Sequence, residues 1–194
     1  MKIGIFGGTF DPPHTGHLII AELAREQLKL DKVVFVPAFT PPHKLHREHA
    51  SPAQRYRMVK LAIRGNKFFE ASRMELNRKG ISYTVDTLKS FRQKYPRSEL
   101  FLIVGSDNLV DFDLWRSPSE ILTMATVAVY EREAILPKRN SSLNEIKLSG
   151  PRIDISSSSI RKRIMEGRTI RYLIPMAVEA FIAKQKLYKI RIGS

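Results

Sequence analysis

Two histidines separated by two residues stand out in the stretch 7–17, which reads Gly-Gly-Thr-Phe-Asp-Pro-Pro-His-Thr-Gly-His. His14 and His17 lie three positions apart, so they share one face if this stretch opens a helix. Imidazole N–H groups donate hydrogen bonds to phosphate oxygens. The pattern therefore predicts a site that handles phosphate groups, although a single histidine at a helix start is more often an ordinary surface residue.

The neighbouring residues predict how the two histidines are positioned. Residues 3–6 are apolar and predict a buried strand, while residues 18–28 are amphipathic and predict a helix. Between them, Gly7 and Gly8 allow a tight turn and the close approach of a ligand, and two prolines cannot continue the strand. A strand, a glycine turn and a helix start direct backbone N–H groups and the positive end of the helix toward one point, which favours a phosphate.

This stretch resembles the signature of the nucleotidyltransferase superfamily that carries a His-x-Gly-His motif. The form Gly-Gly-Thr-Phe-Asp-Pro-Pro-His is most similar to the bacterial nicotinate-nucleotide adenylyltransferases. The resemblance implies that His14 and His17 are catalytic and stabilise the α-phosphate of ATP during adenylyl transfer. It also assigns the preceding turn to ATP binding, through Gly7, Gly8, Thr9 and Phe10.

A second motif, Gly-Ile-Ser-Tyr-Thr-Val-Asp-Thr-Leu, occupies residues 80–88. It leads into a helix predicted over residues 85–95, where Thr84 can act as the cap and an aspartate suits the positive end. The free N–H groups of such a helix start suit a carboxylate. The same motif occurs in the nicotinate-nucleotide adenylyltransferases, and the resemblance implies that the backbone near Tyr83 and Thr84 holds the nicotinate carboxylate.

A glycine and an aspartate follow the apolar strand predicted at residues 100–104. Ligands of open α/β sheets collect at the carboxyl ends of strands, so Asp107 could contact a ribose or a metal. The family is similar here, with Gly-x-Asp and a tryptophan downstream. The resemblance implies that Gly105 and Asp107 bind ATP and that Trp115 stacks on the pyridine ring, whereas from the residues alone core packing is the simpler interpretation of Trp115.

A third motif, Ile-Ser-Ser-Ser-Ser-Ile-Arg-Lys-Arg, occupies residues 155–163. Hydroxyls that open a helix, with arginines one turn later, predict an anion-binding site, and the alternative is an ordinary serine cap on a basic helix. The family has Ile-Ser-Ser-Thr-x-Ile-Arg here, so Ser158 replaces a threonine and keeps the hydroxyl. The resemblance implies that Ser157 and Arg161 hold the β- and γ-phosphates of ATP.

The segment 37–50 contains Pro-Pro-His-Lys and predicts an irregular loop over a substrate, with Lys44 available to an anion. Three histidines that recur every third residue, His43, His46 and His49, leave a zinc site as an alternative, although the loop offers no cysteine and no clear helical register. The resemblance implies that Lys44 and Arg132 help to bind the mononucleotide. The family usually has a glycine two positions after this arginine, and this chain has an alanine.

The 194 residues suffice for one domain, 1–194, because no Gly/Ser-rich or Pro-rich linker divides them. The patterns predict strands at 3–6, 31–36, 68–76 (one strand or two), 100–104 and 126–130. They predict helices at 15–28, 51–64 and 85–95, a short helix that begins at 117, a helix that begins at about 156 and a final helix that ends at about 187. Residues 135–150 are predicted to form a helix or a loop. A helix joins the first two strands, which predicts parallel pairing. The expected architecture is therefore α/β: a Rossmann-like nucleotidyltransferase fold with a parallel sheet of five or six strands, helices on both faces and a helical C-terminal region.

The charge favours anionic partners, because 33 basic and 19 acidic residues give a net charge of +14. Basic residues are scattered without interleaved aromatics, so nucleic acid is not the expected partner, and a nucleic-acid-binding module stays an alternative argued from charge alone. The absence of cysteine fits a cytoplasmic location, and no apolar run approaches the ~18 residues of a membrane span. The sequence leaves the oligomeric state, including a homo-oligomer, open.

The implied reaction joins ATP and nicotinate mononucleotide to give nicotinate adenine dinucleotide (deamido-NAD) and pyrophosphate in NAD biosynthesis. Mg²⁺ is expected to bridge phosphate oxygens with few direct protein ligands, and no protein metal ligands are assigned. The nearest alternative is another small nucleotidyltransferase, such as phosphopantetheine adenylyltransferase. A tRNA-charging catalytic domain is a further alternative, but the chain has no room for an anticodon-reading domain.

Overall fold

A six-stranded sheet with seven α-helices makes up the part of the chain that the computed structural model describes, residues 1–41, 50–109, 111–131 and 145–189. The strands are β1 (Lys2–Gly8), β2 (Lys32–Pro37), β3 (Phe69–Ala71), β4 (Glu99–Gly105), β5 (Thr126–Tyr130) and β6 (Glu145–Leu148). The helices are α1 (Thr15–Gln27), α2 (Pro52–Ala62), α3 (Met74–Arg78), α4 (Thr84–Lys94), α5 (Pro118–Met124), α6 (Ser157–Met165) and α7 (Met176–Gln185). Two short 3₁₀ turns, Ser106–Asn108 and Phe112–Leu114, follow β4.

All six strands run parallel, in the order β3-β2-β1-β4-β5-β6. The strand order reverses between β1 and β4, because the chain first builds outward from β1 to β3 and then crosses back to the other side of β1. In such sheets the connections on either side of the reversal diverge and leave a crevice at the carboxyl ends of the strands. The topology therefore predicts a ligand site just beyond Gly8 and Gly105.

Alternating strand residues pack on opposite faces of the sheet, as the two-residue period of a strand requires. On one face, strand residues such as Phe6 and Phe35 pack with α1 and α2; on the other, strand residues such as Ile5 and Val104 pack with α4 and α5. A third apolar cluster joins α2 to α6 and α7. This third cluster attaches the C-terminal region to the flank of the sheet.

The six parallel strands, the helices on both faces and the helical C-terminal region confirm the architecture expected from the sequence. Three local predictions are wrong. Residues 68–76 hold only a short strand and the start of α3, because Glu75 and Leu76 turn inward on a helix. Thr84 is the first residue of α4 rather than its cap. Ser117-Pro118-Ser119-Glu120 predicts a capping box, but Ser117, which precedes α5, has a left-handed backbone with φ 53° and its side chain makes no capping bond.

The sequence predicts a helix or loop at 135–150, and the structure corrects the last part of this segment. Residues Glu145–Leu148 form β6, which pairs parallel with β5 at the edge of the sheet. Residues 135–144 lie outside the described residues, and the prediction of a single domain stays a prediction. Within the described residues, no helix is both long and apolar enough to span a membrane.

Candidate active site

A cavity of about 480 Å³ opens at the carboxyl edge of the sheet, where β1 and β4 lie side by side. The predicted site residues that line it are Gly7, Gly8, Thr9, Phe10, His14, His17, Tyr83, Thr84, Gly105, Asp107, Trp115 and Ser157. The structure thus brings together residues from all three sequence motifs. Their individual roles stay predictions.

The turn after β1 combines open glycine backbone with a tightly held aromatic ring. A Cβ on Gly7 would meet no atom within 4 Å, so this backbone faces open space, whereas a Cβ on Gly8 would touch the ring of Phe10 at 3.0 Å. Phe10 is buried, and its backbone is left-handed, with φ 53°. This conformation costs a phenylalanine free energy and persists only where the surrounding structure holds it. Its ring lies edge-on to His17, with 5.0 Å between the ring centroids, so the turn positions that histidine.

The two histidines lie against each other at the start of α1, with ring centroids 3.6 Å apart. The backbone N–H of His14 donates to Nδ1 of His17 at 3.1 Å. A neutral imidazole that accepts at Nδ1 carries its proton on Nε2, so the donor of the His17 ring is its Nε2–H group. Gly16 is required beside them, since a Cβ there would lie 2.9 Å from Cγ2 of Ile153 and 3.0 Å from Nδ1 of His14.

The third motif, residues 155–163, reaches the site at the start of α6. Ser156 caps the helix by accepting the N–H of Ser159 at 3.1 Å, and Ser156, Ser157 and Ser158 line the cavity. The hydroxyl of Ser157 donates to the carbonyl of Pro12 at 2.8 Å. The motif therefore brings the positive end of a nine-residue helix to the cavity, as its sequence predicts.

Arg161 is placed differently from its neighbours in this motif. Its guanidinium donates to the carbonyl of Asp11 at 2.7 Å, and Arg161 is not among the residues that line the cavity. The structure thus gives Arg161 a contact with the turn before His14. Contact with the triphosphate, the role that the resemblance implies, stays a prediction.

The opposite side of the cavity is formed by the start of α4 and the turn after β4. Tyr83 precedes the first residue of α4, so the free N–H groups of this helix begin beside the cavity. Trp115 is partly buried and packs on Phe112, with 5.3 Å between the ring centroids. Arg116 lines the cavity too, with its guanidinium 4.7 Å from the centre of the Tyr83 ring and 3.6 Å from the Asp86 carboxylate.

Glu75 is a buried acid on this side that sequence reasoning missed. The Thr87 hydroxyl donates to its carboxyl at 2.5 Å, and Glu75 also lines the cavity. Burial raises the pKa of the Glu75 carboxyl above its ordinary value, while hydrogen bonds from Ser82 and Thr87 act in the opposite direction. The signal in the sequence is a single acid between Met74 and Leu76, which is too common to single out.

Arg55 is the other buried charge that the sequence did not place at the site. Its guanidinium donates to the carbonyls of Thr9 (2.9 Å), Ala38 (2.6 Å), Phe39 (2.9 Å) and Ala50 (3.2 Å). These carbonyls belong to the turn after β1 and to both ends of the segment that follows β2. The sequence places Arg55 in the helix predicted at 51–64, and only the contacts show that its guanidinium joins three pieces of backbone.

The remaining predicted residues lie outside the described residues: Lys44, Arg132 and the histidines of the zinc alternative, His43, His46 and His49. Within the described residues, no group of three or more His, Cys, Asp or Glu side chains is arranged to hold a metal ion. Asp107 offers the cavity one carboxylate. A single carboxylate suits Mg²⁺, which takes its other ligands from phosphate oxygens and water.

Comparison with known proteins gives consistent matches in sequence and in fold. Residues 5–163 match the family model described as cytidylyltransferase-like. A probable nicotinate-nucleotide adenylyltransferase of Desulfitobacterium hafniense (strain Y51) is 43% identical over 201 residues, which covers 97% of this chain and 96% of the relative. A probable nicotinate-nucleotide adenylyltransferase of Thermus thermophilus is 44% identical, over 97% of this chain and 100% of its own.

Solved structures of the same kind share the fold. The nicotinic acid mononucleotide adenylyltransferase of Plasmodium falciparum, solved with NaAD, superposes with a TM-score of 0.80 at 19% identity, over 96% of this chain and 97% of that one. A putative nicotinate-nucleotide adenylyltransferase of Vibrio parahaemolyticus gives a TM-score of 0.71 at 22% identity, over 97% and 96%. With a family model that covers most of its length and relatives that match it nearly end to end, the chain belongs to the cytidylyltransferase-like family and, within it, to the nicotinate-nucleotide adenylyltransferases.

Proposed function

We propose that this protein transfers the adenylyl group of ATP to nicotinate mononucleotide, giving nicotinate adenine dinucleotide and pyrophosphate in NAD biosynthesis. The observation that carries the proposal is one cavity with two different sides. One side has the adjacent histidines and the start of α6, which suit a triphosphate, and the other has the start of α4 with Tyr83 and Trp115, which suit an aromatic acid. Relatives of this chain at 43% and 44% identity carry the name of this activity.

In the proposed reaction, a 5′-phosphate oxygen of the mononucleotide attacks the α-phosphorus of ATP. A new bond forms between that oxygen and phosphorus, and the bond from phosphorus to the bridging oxygen breaks, so pyrophosphate leaves with the electron pair. The attacking phosphate is already an anion near neutral pH, and a strong general base is not required. The protein must instead align the two substrates and stabilise the negative charge.

His17 is the best-placed donor for the α-phosphate, because its Nδ1 accepts from the His14 backbone and its proton therefore resides on Nε2. The positive end of α1 adds to the same field. The start of α6 would hold the β- and γ-phosphates through its free N–H groups, that of Ser157 included, and through the neighbouring hydroxyls, since the Ser157 hydroxyl already donates to Pro12. Mg²⁺ bound to ATP would neutralise part of the phosphate charge, and Asp107 in the cavity lining is the carboxylate suited to reach the metal or the ribose.

The side of the cavity formed by the start of α4, Tyr83 and Trp115 is the recognition side. Its free N–H groups at the start of α4 favour the nicotinate carboxylate, and Trp115 offers an aromatic face to the pyridine ring. Arg116 places a cation beside Tyr83, which further favours an anionic acceptor. Lys44 and Arg132 are proposed as additional cations for the mononucleotide. The reaction and its substrates also support a cytoplasmic location and small-molecule partners rather than nucleic acid.

The test is pyrophosphate release by the purified protein with ATP, Mg²⁺ and a panel of acceptors: nicotinate mononucleotide, nicotinamide mononucleotide and 4′-phosphopantetheine. We expect the fastest release with nicotinate mononucleotide, and a product whose mass is that of nicotinate adenine dinucleotide. Release with 4′-phosphopantetheine alone would move the assignment to the other small adenylyltransferases. No release with any acceptor, together with retention of random oligonucleotides on a filter, would support the nucleic-acid-binding alternative.

A further inference from the structure

The residues on both sides of His14 are hydrogen-bonded to the C-terminal region of the chain. Before it, the carbonyls of Asp11 and Pro12 accept from Arg161 and Ser157. After it, Thr15 donates its N–H to the carbonyl of Leu173 at 2.9 Å and its hydroxyl to the carbonyl of Tyr172 at 3.1 Å. The position of His14 therefore depends on residues that lie more than a hundred positions away.

Tyr188 adds a contact between two side chains to these hydrogen bonds. Its hydroxyl donates to Oδ1 of Asp11 at 2.6 Å, and Asp11 is only 4% exposed. Burial, followed by the nearby Asp11 carboxylate, raises the pKa of the Tyr188 hydroxyl far above its ordinary value, so the proton is retained and the hydroxyl stays a donor.

The backbone after α7 is shaped to make this contact. Lys186 and Tyr188 both have left-handed backbones, with φ values of 50° and 62°, which turn the chain back after the helix. Non-glycine residues in this region cost free energy and persist only where their surroundings hold them. For Tyr188 the described holding contacts include the carboxylate of Asp11 and the sulfur of Met58, at 3.9 Å.

We propose that Tyr188 is a positioning residue for the histidine pair: through its hydrogen bond to Asp11 it fixes the Asp-Pro-Pro segment that sets where His14 lies. This inference rests on the proposed function, because it assigns the histidines to the α-phosphate. Tyr188 is not among the residues that line the cavity, so it acts through Asp11. The C-terminal segment thereby serves as part of the catalytic framework.

The first test compares Tyr188→Phe with the wild type in steady-state pyrophosphate release. Losing a hydrogen bond to a charged group and loosening the segment before His14 should lower kcat about tenfold. The KM values for ATP and for the mononucleotide should stay within about twofold, since the binding groups are untouched. A kcat equal to the wild type, or a loss that only follows the folded fraction in thermal unfolding, would overturn the proposal.

Tyr95→Phe is the matched control. Its hydroxyl also takes part in a hydrogen bond to a charged side chain, accepting from Lys32 at 3.2 Å, but at the amino edge of the sheet, away from the cavity. It should leave kcat unchanged. In a double-mutant cycle, Tyr188→Phe combined with Asp11→Asn should lose no more kcat than the worse single variant, because both remove one interaction; losses that multiply would contradict it.

A second readout does not need the activity. The imidazole NMR signals of His14 and His17 should shift in Tyr188→Phe and stay unchanged in Tyr95→Phe. Shifted signals in a protein that releases no pyrophosphate with any acceptor would support the positioning role while contradicting the proposed function. Unshifted signals would contradict the positioning role, whatever the activity.

Discussion

The histidine side of the cavity and the side with Tyr83 and Trp115 are held in different ways. On the histidine side, His14 is 2% exposed, and hydrogen bonds from distant segments fix the residues around it. On the other side, Leu114 is 81% exposed, and Trp115 is only partly buried where it packs against Phe112 and the apolar cluster around it. His14 is built into the core of the protein, whereas Leu114 and Trp115 stand closer to water.

This difference matches what each side is proposed to do. Stabilising charge in a transition state requires donors that are already aimed before the substrate arrives. Recognising and releasing a substrate requires access, and partly exposed groups gain order when the ligand covers them. We therefore expect substitutions on the histidine side to act mainly on kcat and substitutions on the other side to act mainly on the choice of acceptor.

The largest expected effect is that of His17→Ala on the histidine side. Removing the Nε2 donor should lower kcat by about 100-fold or more, the scale of losing one transition-state donor. The KM for ATP should change much less, because the turn and the start of α6 remain. The measurement is steady-state pyrophosphate release, with thermal unfolding to check the fold. If His17→Ala turns over like the wild type, the assigned role is wrong.

Substitutions at two glycines near the histidines should have different effects: one should move the His14 imidazole, and the other should reduce the room for ATP. In Gly16→Ala the new Cβ would press on Ile153 and on the His14 ring, so kcat should fall about tenfold or more as the imidazole moves. In Gly7→Ala the Cβ meets no atom within 4 Å, so the melting temperature should hold and the KM for ATP should rise. The reverse pattern, with kcat lost in Gly7→Ala alone, would show that the two glycines are misassigned.

The next effect concerns the choice of acceptor on the recognition side of the cavity. An amide in place of the nicotinate carboxylate would present an NH₂ donor to the donors at the start of α4, and each buried unpaired group costs about 1–3 kcal/mol. Since about 1.36 kcal/mol corresponds to a tenfold change in rate, the acid mononucleotide should be preferred at least about tenfold in kcat/KM. Equal kcat/KM values for the two mononucleotides would remove the argument for carboxylate recognition while leaving adenylyl transfer intact.

The smallest effect is one of stability, at Glu75. Because its pKa is raised in the folded protein, the fold favours the protonated acid, and the stabilisation is complete below the ordinary pKa and is lost as pH rises through the raised value. Glu75→Gln, which cannot ionise, should therefore gain stability relative to the wild type as pH rises from about 4 toward 7. Chemical unfolding across this range measures the difference.

Glu99→Gln is the control for that experiment, because Glu99 is exposed at the other edge of the sheet. The free energy of unfolding of the Glu99→Gln variant, relative to that of the wild type, should not rise over the same pH range. A Glu75→Gln difference that is flat with pH would mean that the carboxyl is ionised in the fold at little cost. The recognition side would then hold a permanent negative charge beside its ligand.

Much of the fold follows from the sequence because its signals are local. Apolar runs that end at glycine or proline indicate strands β1, β2 and β4, and a run rich in valine indicates β5. Helix-period patterns indicate α1 and α4. Strand β6 could not be predicted, because Glu-Ile-Lys-Leu is a short edge strand whose polar residues resemble those of a loop. This segment forms a strand because its backbone hydrogen-bonds to the neighbouring strand β5.

The site divides along the same line. Motif residues such as His17, Tyr83 and Ser157 could be predicted to meet, because each follows a strand or opens a helix at one edge of the sheet. The groups that hold them could not, since their contacts join distant parts of the chain, with 177 positions between Tyr188 and Asp11. Arg161 illustrates the limit: its motif predicts an anion contact, and its described contact beyond its own helix is a backbone carbonyl.

Arg55 has a consequence for engineering. One guanidinium binds the carbonyls of Ala38 and Ala50, so a single side chain ties together two residues that lie twelve positions apart in the chain. Because the same guanidinium also binds the carbonyl of Thr9, a redesign of this face that removes Arg55 would release the turn before the histidines together with Ala38 and Ala50.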